Sequence, residues 1–237
     1  MEQTKLLPTA ETISTFVAYN AEMNAALKRN DLDLANEYLR KVEALTAEHD
    51  FFDQEFTEND LVGLKDITGQ VRIPALYKAI GARYRYDHWR ELPVPVMNSE
   101  DKYAIVKADG SGTPLCEFTY DYITCFPWTD HFRAHLGGKT TLLRPNGTEL
   151  LPTKVDTIYE PFNHIAMLEN EGKYGLCTLH GSYVAPIYDE MEPDENDNVH
   201  VRLGDTWGYI SGDGQFLAEP LSDEDHDKWW YNFRPNF

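Results

Sequence analysis

The sequence predicts an α+β, mainly β protein. An N-terminal antiparallel helical hairpin is followed by a degenerate array of about five short β-repeats, open and elongated rather than closed as a propeller. Three observations predict it. Two apolar stripes at helical spacing fill residues 9–48. A short phrase, running from a small residue to a glycine six places on, recurs along the rest of the chain. Between its copies, branched and aromatic residues alternate with polar ones at period two, as half-buried strands do. The expected division is 1–60 for the hairpin and its connector, 61–220 for the array, and 221–237 for an acidic, aromatic cap or docking tail.

In the hairpin, Ile13, Phe16, Val17, Met23 and Leu27 fall close to one helical face, and Leu34, Ala35, Tyr38, Leu39, Val42 and Leu45 form a second stripe. Thr9 is placed to cap the first helix and Asp31 or Asp33 the second, across the break at Asn30. The turn is similar to that of a tetratricopeptide helix pair. The hairpin is expected to cap the first β unit, because a repeat array must cover its terminal apolar face. A separate peptide-binding hairpin is the alternative.

The phrase occupies 63–69, 104–110, 141–147, 175–181 and 208–214. It starts on Gly63, Ala104, Thr141, Gly175 or Gly208 and ends on Gly69, Gly110, Gly147, Gly181 or Gly214. The dipeptides Asp109-Gly110, Asn146-Gly147 and Asp213-Gly214 predict tight hairpins, since glycine accepts positive φ at little cost. A proline follows about five residues later (Pro74, Pro114, Pro152, Pro186, Pro220), which belongs at a strand end or edge. Then comes an aromatic or branched residue with a mostly acidic neighbour: Tyr120-Asp121, Val155-Asp156 and Tyr188-Asp189, with Tyr77-Lys78 departing. Alternating segments 132–136, 165–168 and 199–203 complete each unit. Aspartates recurring in register are architectural in this reading, because a catalytic residue is normally needed once.

The segments Lys173-Tyr174-Gly175-Leu176, Gly181, Pro186-Ile187-Tyr188-Asp189 and Thr206-Trp207-Gly208-Tyr209-Ile210 with Gly214 resemble the bacterial WG repeat. That repeat carries Trp-Gly or Tyr-Gly, a glycine, then Pro-x-Tyr-Asp. The resemblance covers roughly residues 60–220. It weakens in the first three units, where Val62-Gly63, Tyr103-Ala104 and Thr140-Thr141 stand in for the aromatic–glycine pair. It implies a β-repeat scaffold and no particular activity. Trp207 occupies the repeat's own aromatic position, so the resemblance implies a structural role for it.

Forty acidic against 21 basic residues give a net charge of −19, which argues against nonspecific binding to nucleic acid or anionic membranes. Thirteen of the acids and three of the bases lie in 186–237. Three cysteines, Cys116, Cys125 and Cys177, do not make a secreted disulfide framework. No apolar run approaches about 18 residues and no apolar leader follows Met1, so the expected location is cytoplasmic.

The sequence carries no phosphate loop, dinucleotide fingerprint, zinc-protease motif, paired-cysteine motif or nucleophile elbow. His131 and His135, four apart on a strand, would stand about 13 Å from each other, too far to share an ion. Residues 194–198 offer oxygen ligands, but Val199 holds the place where a calcium loop needs glycine. No catalytic residue, metal or cofactor is therefore expected.

The leading functional reading is a noncatalytic protein-binding scaffold with an acidic surface and another protein, basic in character, as partner. Trp229, Trp230 and Tyr231, with Asp223, Glu224 and Asp225 before them, are the expected partner-binding residues, because Trp and Tyr dominate interface hot spots. A specific version is an immunity- or inhibitor-type protein that neutralises a basic toxin or nuclease. Alternatives are carbohydrate or peptidoglycan-fragment binding on exposed Trp89, Trp128, Trp207 and Trp229, and an enzyme with a site between repeats. The sequence leaves the oligomeric state open.

Overall fold

The computed structural model describes residues 5–6, 8–49, 51–82, 92–127, 129–162, 164–193, 198–212 and 214–222, with 216–222 described by backbone alone. The chain forms two helices and then short antiparallel strands in five small sheets, none of which closes into a barrel among the described residues. It divides into two compact units. The first is Met1–Ile80 with Tyr84–Glu91 and Lys107–Thr113; the second is Gly81–Arg83, Leu92–Val106 and Pro114–Phe237.

In the first unit, helix α1 spans Ala10–Lys28 and α2 spans Leu32–Glu48. Thr9 caps α1 by accepting from the Thr12 amide, and Asp31 caps α2 by accepting from the Leu34 amide, both at 3.2 Å. Asn30, at φ 57°, makes the turn between them. The buried face of α1 is Phe16, Asn20 and Ala26, and Phe16 stacks on Phe51 at 4.1 Å between centroids. The predicted stripes are therefore corrected at three positions. Val17, Leu27 and Leu39 are exposed by 56%, 50% and 40%. Asn20 takes an inward place that hydropathy denied it: its Nδ2 donates to the Phe16 carbonyl at 2.9 Å, while its buried Oδ1 has no partner among the described residues.

Strands β1 (Gln54–Glu58), β2 (Leu61–Lys65) and β3 (Val71–Tyr77) follow as a meander in that order, and β4 is Ala79–Ile80. The 107–113 loop docks on β3: the Gly110 amide donates to the Arg72 carbonyl at 2.8 Å, and the Tyr77 hydroxyl donates to the Gly112 carbonyl. Arg72 also pairs with Asp53 at 2.5 Å.

The second unit contains β5 (Val94–Met97), β6 (Tyr103–Val106), β7 (Tyr122–Cys125), β8 (Phe132–Leu136) and β9 (Lys139–Leu143). It continues with β10 (Thr157–Ile158), β11 (Ile165–Asn170), β12 (Lys173–Thr178) and β13 (Tyr183–Tyr188). It ends with β14 (Glu190–Pro193), β15 (Asn198–Leu203), β16 (Thr206–Ser211) and β17 (Phe216–Ser222). The sheet orders β7-β8-β9, β10-β11-β12-β13 and β14-β15-β16-β17 are simple antiparallel meanders. Among the described residues, three apolar clusters lie between successive sheets. Ile105, Tyr120, Ile123, Phe132 and Leu143 join β6 to the β7–β9 sheet. Phe126, Leu142, Val155, Leu168 and Cys177 join that sheet to β10–β13. Ile165, Leu176, Met191, Val201 and Ile210 join β10–β13 to β14–β17.

The sequence repeat and the sheet are out of phase. The phrase begins on the third strand of a four-stranded sheet, turns at its glycine into the fourth, and its acidic residue opens the next sheet. Pro74, Pro186 and Pro220 lie in β3, β13 and β17, each the last strand of its sheet, where a missing amide donor breaks no ladder.

The tight hairpins expected at Asn146-Gly147 and Asp213-Gly214 form, with the glycine at positive φ and loops of three residues. In the turn 144–148 the Arg144 amide donates to the Thr148 carbonyl, enclosing three residues, and Gly147 alone has positive φ, 88°. The turns 178–182, 211–215 and 66–70 close in the same way, around Gly181, Gly214 and Gly69 at φ 108°, 87° and 86°. This is the three-residue loop with glycine in the left-handed region. At Asp109-Gly110 the loop is longer, closed by the Lys107 amide on the Thr113 carbonyl.

Glycine at the start of the phrase answers a different need. A Cβ on Gly175 would lie 2.4 Å from the Val184 carbonyl oxygen, and one on Gly63 would lie 2.7 Å from that of Ile73. Both sites coincide with irregular pairing to the fourth strand, between Tyr174 and Leu176 and between Val62 and Leu64. Where Ala104 and Thr141 replace the glycine, the fourth strand is reduced to isolated bridges, Val106 to Pro114 and Leu143 to Glu149 among them. Gly175→Ala is expected to cost about 2 kcal/mol of stability by forcing β13 away from β12. Urea unfolding checks this, with Ala104→Gly, at a site without that crossing strand, expected to cost about 1 kcal/mol or less.

Candidate functional site

The recurring aspartates stand at the joints between sheets. The Asp121 Oδ2 accepts from the Gly137 amide at 2.8 Å, Asp156 from the Glu171 amide at 2.7 Å, and Asp189 from the Gly204 amide at 2.8 Å. Each acceptor thus holds the turn between the second and third strands of the sheet it opens. The other carboxylate oxygen of each meets a lysine: Lys102 to Asp121 at 2.6 Å, Lys139 to Asp156 at 2.7 Å and Lys173 to Asp189 at 2.5 Å. These lysines begin or precede the third strand of the preceding sheet, so each aspartate binds two successive sheets at once. The lysines were missed by sequence reasoning. Their signal was available, since Lys102, Lys139 and Lys173 all stand immediately before the residue pair that opens the phrase.

The Lys102 contact, then the Gly137 amide, hold the Asp121 carboxyl below its ordinary value. Asp156 is lowered first by the Glu171 amide and then by Lys139, and Asp189 first by Lys173 and then by the Gly204 amide. A carboxyl depressed in the folded state contributes stability that is full above its unfolded pKa of about 3.9 and is lost as pH falls through the folded value. The chain with Asp121, Asp156 and Asp189 all changed to Asn is expected to be less stable at neutral pH. It should also lose less additional stability than the unaltered chain in urea melts taken from about pH 6 to about pH 3. Parallel acid limbs for the two chains would remove this role.

Of the other residues singled out by the sequence, Tyr188 pairs with Tyr174 across β12 and β13, and Gly208 pairs with Val201. Trp207 is buried to 8% exposure with the Arg202 guanidinium 5.9 Å above its ring, so it is no open platform for a sugar. Trp89, Trp128, the acidic loop 194–197 and the tail residues Asp223, Glu224, Asp225, Trp229, Trp230 and Tyr231 lie outside the described residues.

Chemistry is sparse. Among the described residues no three His, Cys, Asp or Glu side chains are grouped to hold a metal ion. Cys116, Cys125 and Cys177 are free thiols; burial pushes Cys177 up to about 12, far from thiolate reactivity. His135 contacts the Thr140 hydroxyl through Nδ1 at 3.2 Å. A recess of ≈ 400 Å³ in the first unit is lined by Pro8, Phe56, Lys65 and Asp66 among others. No helix among the described residues is long and apolar enough to cross a membrane.

Two surfaces stand out. One is the outer edge of β1. In the β10–β13 and β14–β17 sheets the strand equivalent to β1 is flanked on both sides, β11 by β10 and β12, β15 by β14 and β16. The first sheet has the order β1-β2-β3 and lacks the outer strand. Gln54, Glu55, Thr57 and Glu58 on β1 are exposed, and only Phe56 turns inward, beneath the Lys65 ammonium at 4.1 Å.

The second surface is a group of cationic and imidazole side chains at one end of the β7–β9 and β10–β13 sheets. Arg133 on β8 lies with its guanidinium 5.0 Å from the Phe126 ring centroid. Burial lowers its pKa, against the opposing influence of Glu160. His131 is lowered by burial and then by the charge of Arg144, with a further lowering from His180 and opposition from Asp130. The rings of His164 and His180 are 6.0 Å apart.

No protein-family model and no curated protein matches the chain. Among solved structures it is similar to Kluyveromyces lactis Hsv2p, at 11% identity and a TM-score of 0.33, covering 71% of this chain and 59% of that one. It is similar to AztD from Citrobacter koseri at 12% identity and a TM-score of 0.34, covering 71% and 55%. The AfRom2 CNH domain gives 8% identity and a TM-score of 0.31, covering 73% and 75%. The chain spans between half and three-fifths of the length of the first of these structures.

Proposed function

We propose that this chain is a noncatalytic, cytoplasmic protein-binding scaffold of the WG-repeat kind, with a basic protein as its partner. The observation that carries the reading is the incomplete first sheet. Its β1 edge stands where two other sheets have a fourth strand, and the side chains along it are exposed and acidic. An extended segment laid along β1 gains main-chain hydrogen bonds in the manner of strand addition, and Lys or Arg side chains on it meet Glu55 and Glu58. The net charge of −19 extends the same preference over the whole chain and favours encounter with a basic surface. The recurring Asp residues support the noncatalytic part, since hydrogen bonds and ion pairs within the fold already engage them.

The test is affinity capture with the full chain and with a Glu55→Lys/Glu58→Lys variant, at low ionic strength and at about 1 M salt, where charges are screened beyond about 3 Å. A basic protein should be retained by the unaltered chain at low salt, and lost both at high salt and on charge reversal. Equal capture by the two chains moves the contact away from β1. No specific capture under either condition overturns the scaffold reading.

A further inference from the structure

Arg133 presents a problem that the scaffold reading does not touch. A guanidinium carries five N–H donors in a rigid fork and accepts nothing. Here the Nε and Nη2 atoms are buried and have no hydrogen-bond partner among the described residues. These two atoms form the side of the guanidinium whose N–H bonds run parallel, the arrangement that grips two oxygens of one anion. Buried donors left without acceptors are rare in folded proteins and call for a cause.

The surroundings define what is missing. The Phe126 ring lies 5.0 Å from the guanidinium carbon, a favourable contact for the charge that offers no oxygen acceptor. Glu160 acts on Arg133 through space only; its side chain is exposed and forms no ion pair with it. Its wider surroundings hold one more cation, one more acid and three imidazoles. The field of Arg144 reaches His131, as does that of His180, whose ring lies near that of His164. Asp130 is the acid that opposes them at His131. Arg144 is anchored by donating to the Glu149 carbonyl at 2.7 Å, which leaves its positive charge without a carboxylate.

We propose that this end of the β7–β9 and β10–β13 sheets binds a small phosphate-class oxyanion, with the Nε–H and Nη2–H fork of Arg133 as its principal donors. A doubly charged oxyanion supplies the acceptors that Arg133 lacks and a counter-charge for Arg133 and Arg144. Arg133 is half-buried as a whole, so the ligand reaches the fork from the solvent side of the side chain by its rotation, not through the apolar cluster beneath it. The ligand is the free ion or the phosphate group of a small phosphomonoester.

The experiment titrates the full chain with inorganic phosphate and, separately, with glycerol 2-phosphate. Thermal unfolding and imidazole NMR signals are followed, with chloride at matched ionic strength as the blank. Phosphate should raise the melting temperature beyond chloride and move the His131 and His180 signals with one saturating curve. Arg133→Lys, which keeps the charge and loses the fork, should bind about tenfold more weakly, and Arg133→Met should not bind measurably. Arg133→Met should melt, without ligand, no lower than the unaltered chain, because the substitution removes unsatisfied buried donors. If Arg133→Met instead fails to fold, Arg133→Lys alone decides. A glycerol phosphate affinity above that of the free ion identifies the ester as the source, and the reverse identifies the ion. Equal responses to phosphate and chloride, or undiminished binding by Arg133→Lys, would overturn the proposal.

Discussion

A sheet of three or four short strands cannot bury either of its faces alone, and the second unit of this protein is organised by that constraint. Each of its three apolar clusters draws residues from two consecutive sheets, so a sheet removed from its neighbours would expose two half-cores. Phe126, from the segment after β7, and Leu142, from β9, pack with Ile158, Ala166 and Leu168 of the next sheet in one cluster. The polar joints follow from the same stacking. Once two sheets face each other, the segment linking them must hold its angle. A carboxylate that accepts from a turn of one sheet and pairs with a lysine of the other does so with one short side chain. These pairs are exposed, so their worth lies more in fixing geometry than in free energy.

Much of this was legible in the sequence, and the parts that were not have physical causes. Helix ends read correctly because capping is local: Thr9 and Asp31 need only their own next turn to act. The inward face of α1 read poorly, because Val17 and Leu27 count as apolar wherever they point, whereas Asn20 becomes tolerable inside only through its bond to Phe16. The strands were visible as alternation. Their grouping was not, since the repeated phrase marks the turn from third to fourth strand and period alone does not say where a sheet begins. Loop length was not legible from the Asn-Gly and Asp-Gly pairs. Those pairs fit a two-residue turn and also the last two places of a three-residue one, and the closing hydrogen bond decides between them.

The candidate sites divide the same way. Asp121, Asp156 and Asp189 were conspicuous through recurrence, and recurrence was also the argument that they build rather than react. The β1 edge has no signature of its own, because an absent strand is recognised only by comparison with sheets that have it. Arg133 was the least visible. A single arginine in an alternating strand reads as an outward polar residue, and its partly buried position against Phe126 depends on the neighbouring sheet.

The offset between the repeated phrase and the sheet carries a consequence for how such a chain can change its length. Because the phrase bridges two sheets, a block of one period can be duplicated or deleted from any starting point within the array. Each new joint still runs from the end of one sheet into an aspartate and the first strand of the next. Growth and shrinkage by whole periods therefore preserve the aspartate–lysine joint, while the fourth strand varies between a full strand and isolated bridges. Cutting the chain at the borders of the phrase does the opposite, leaving a sheet without its closing strand and a lysine without its aspartate. Length is thus free to drift in units of one period, while the two ends are constrained to be something other than another repeat.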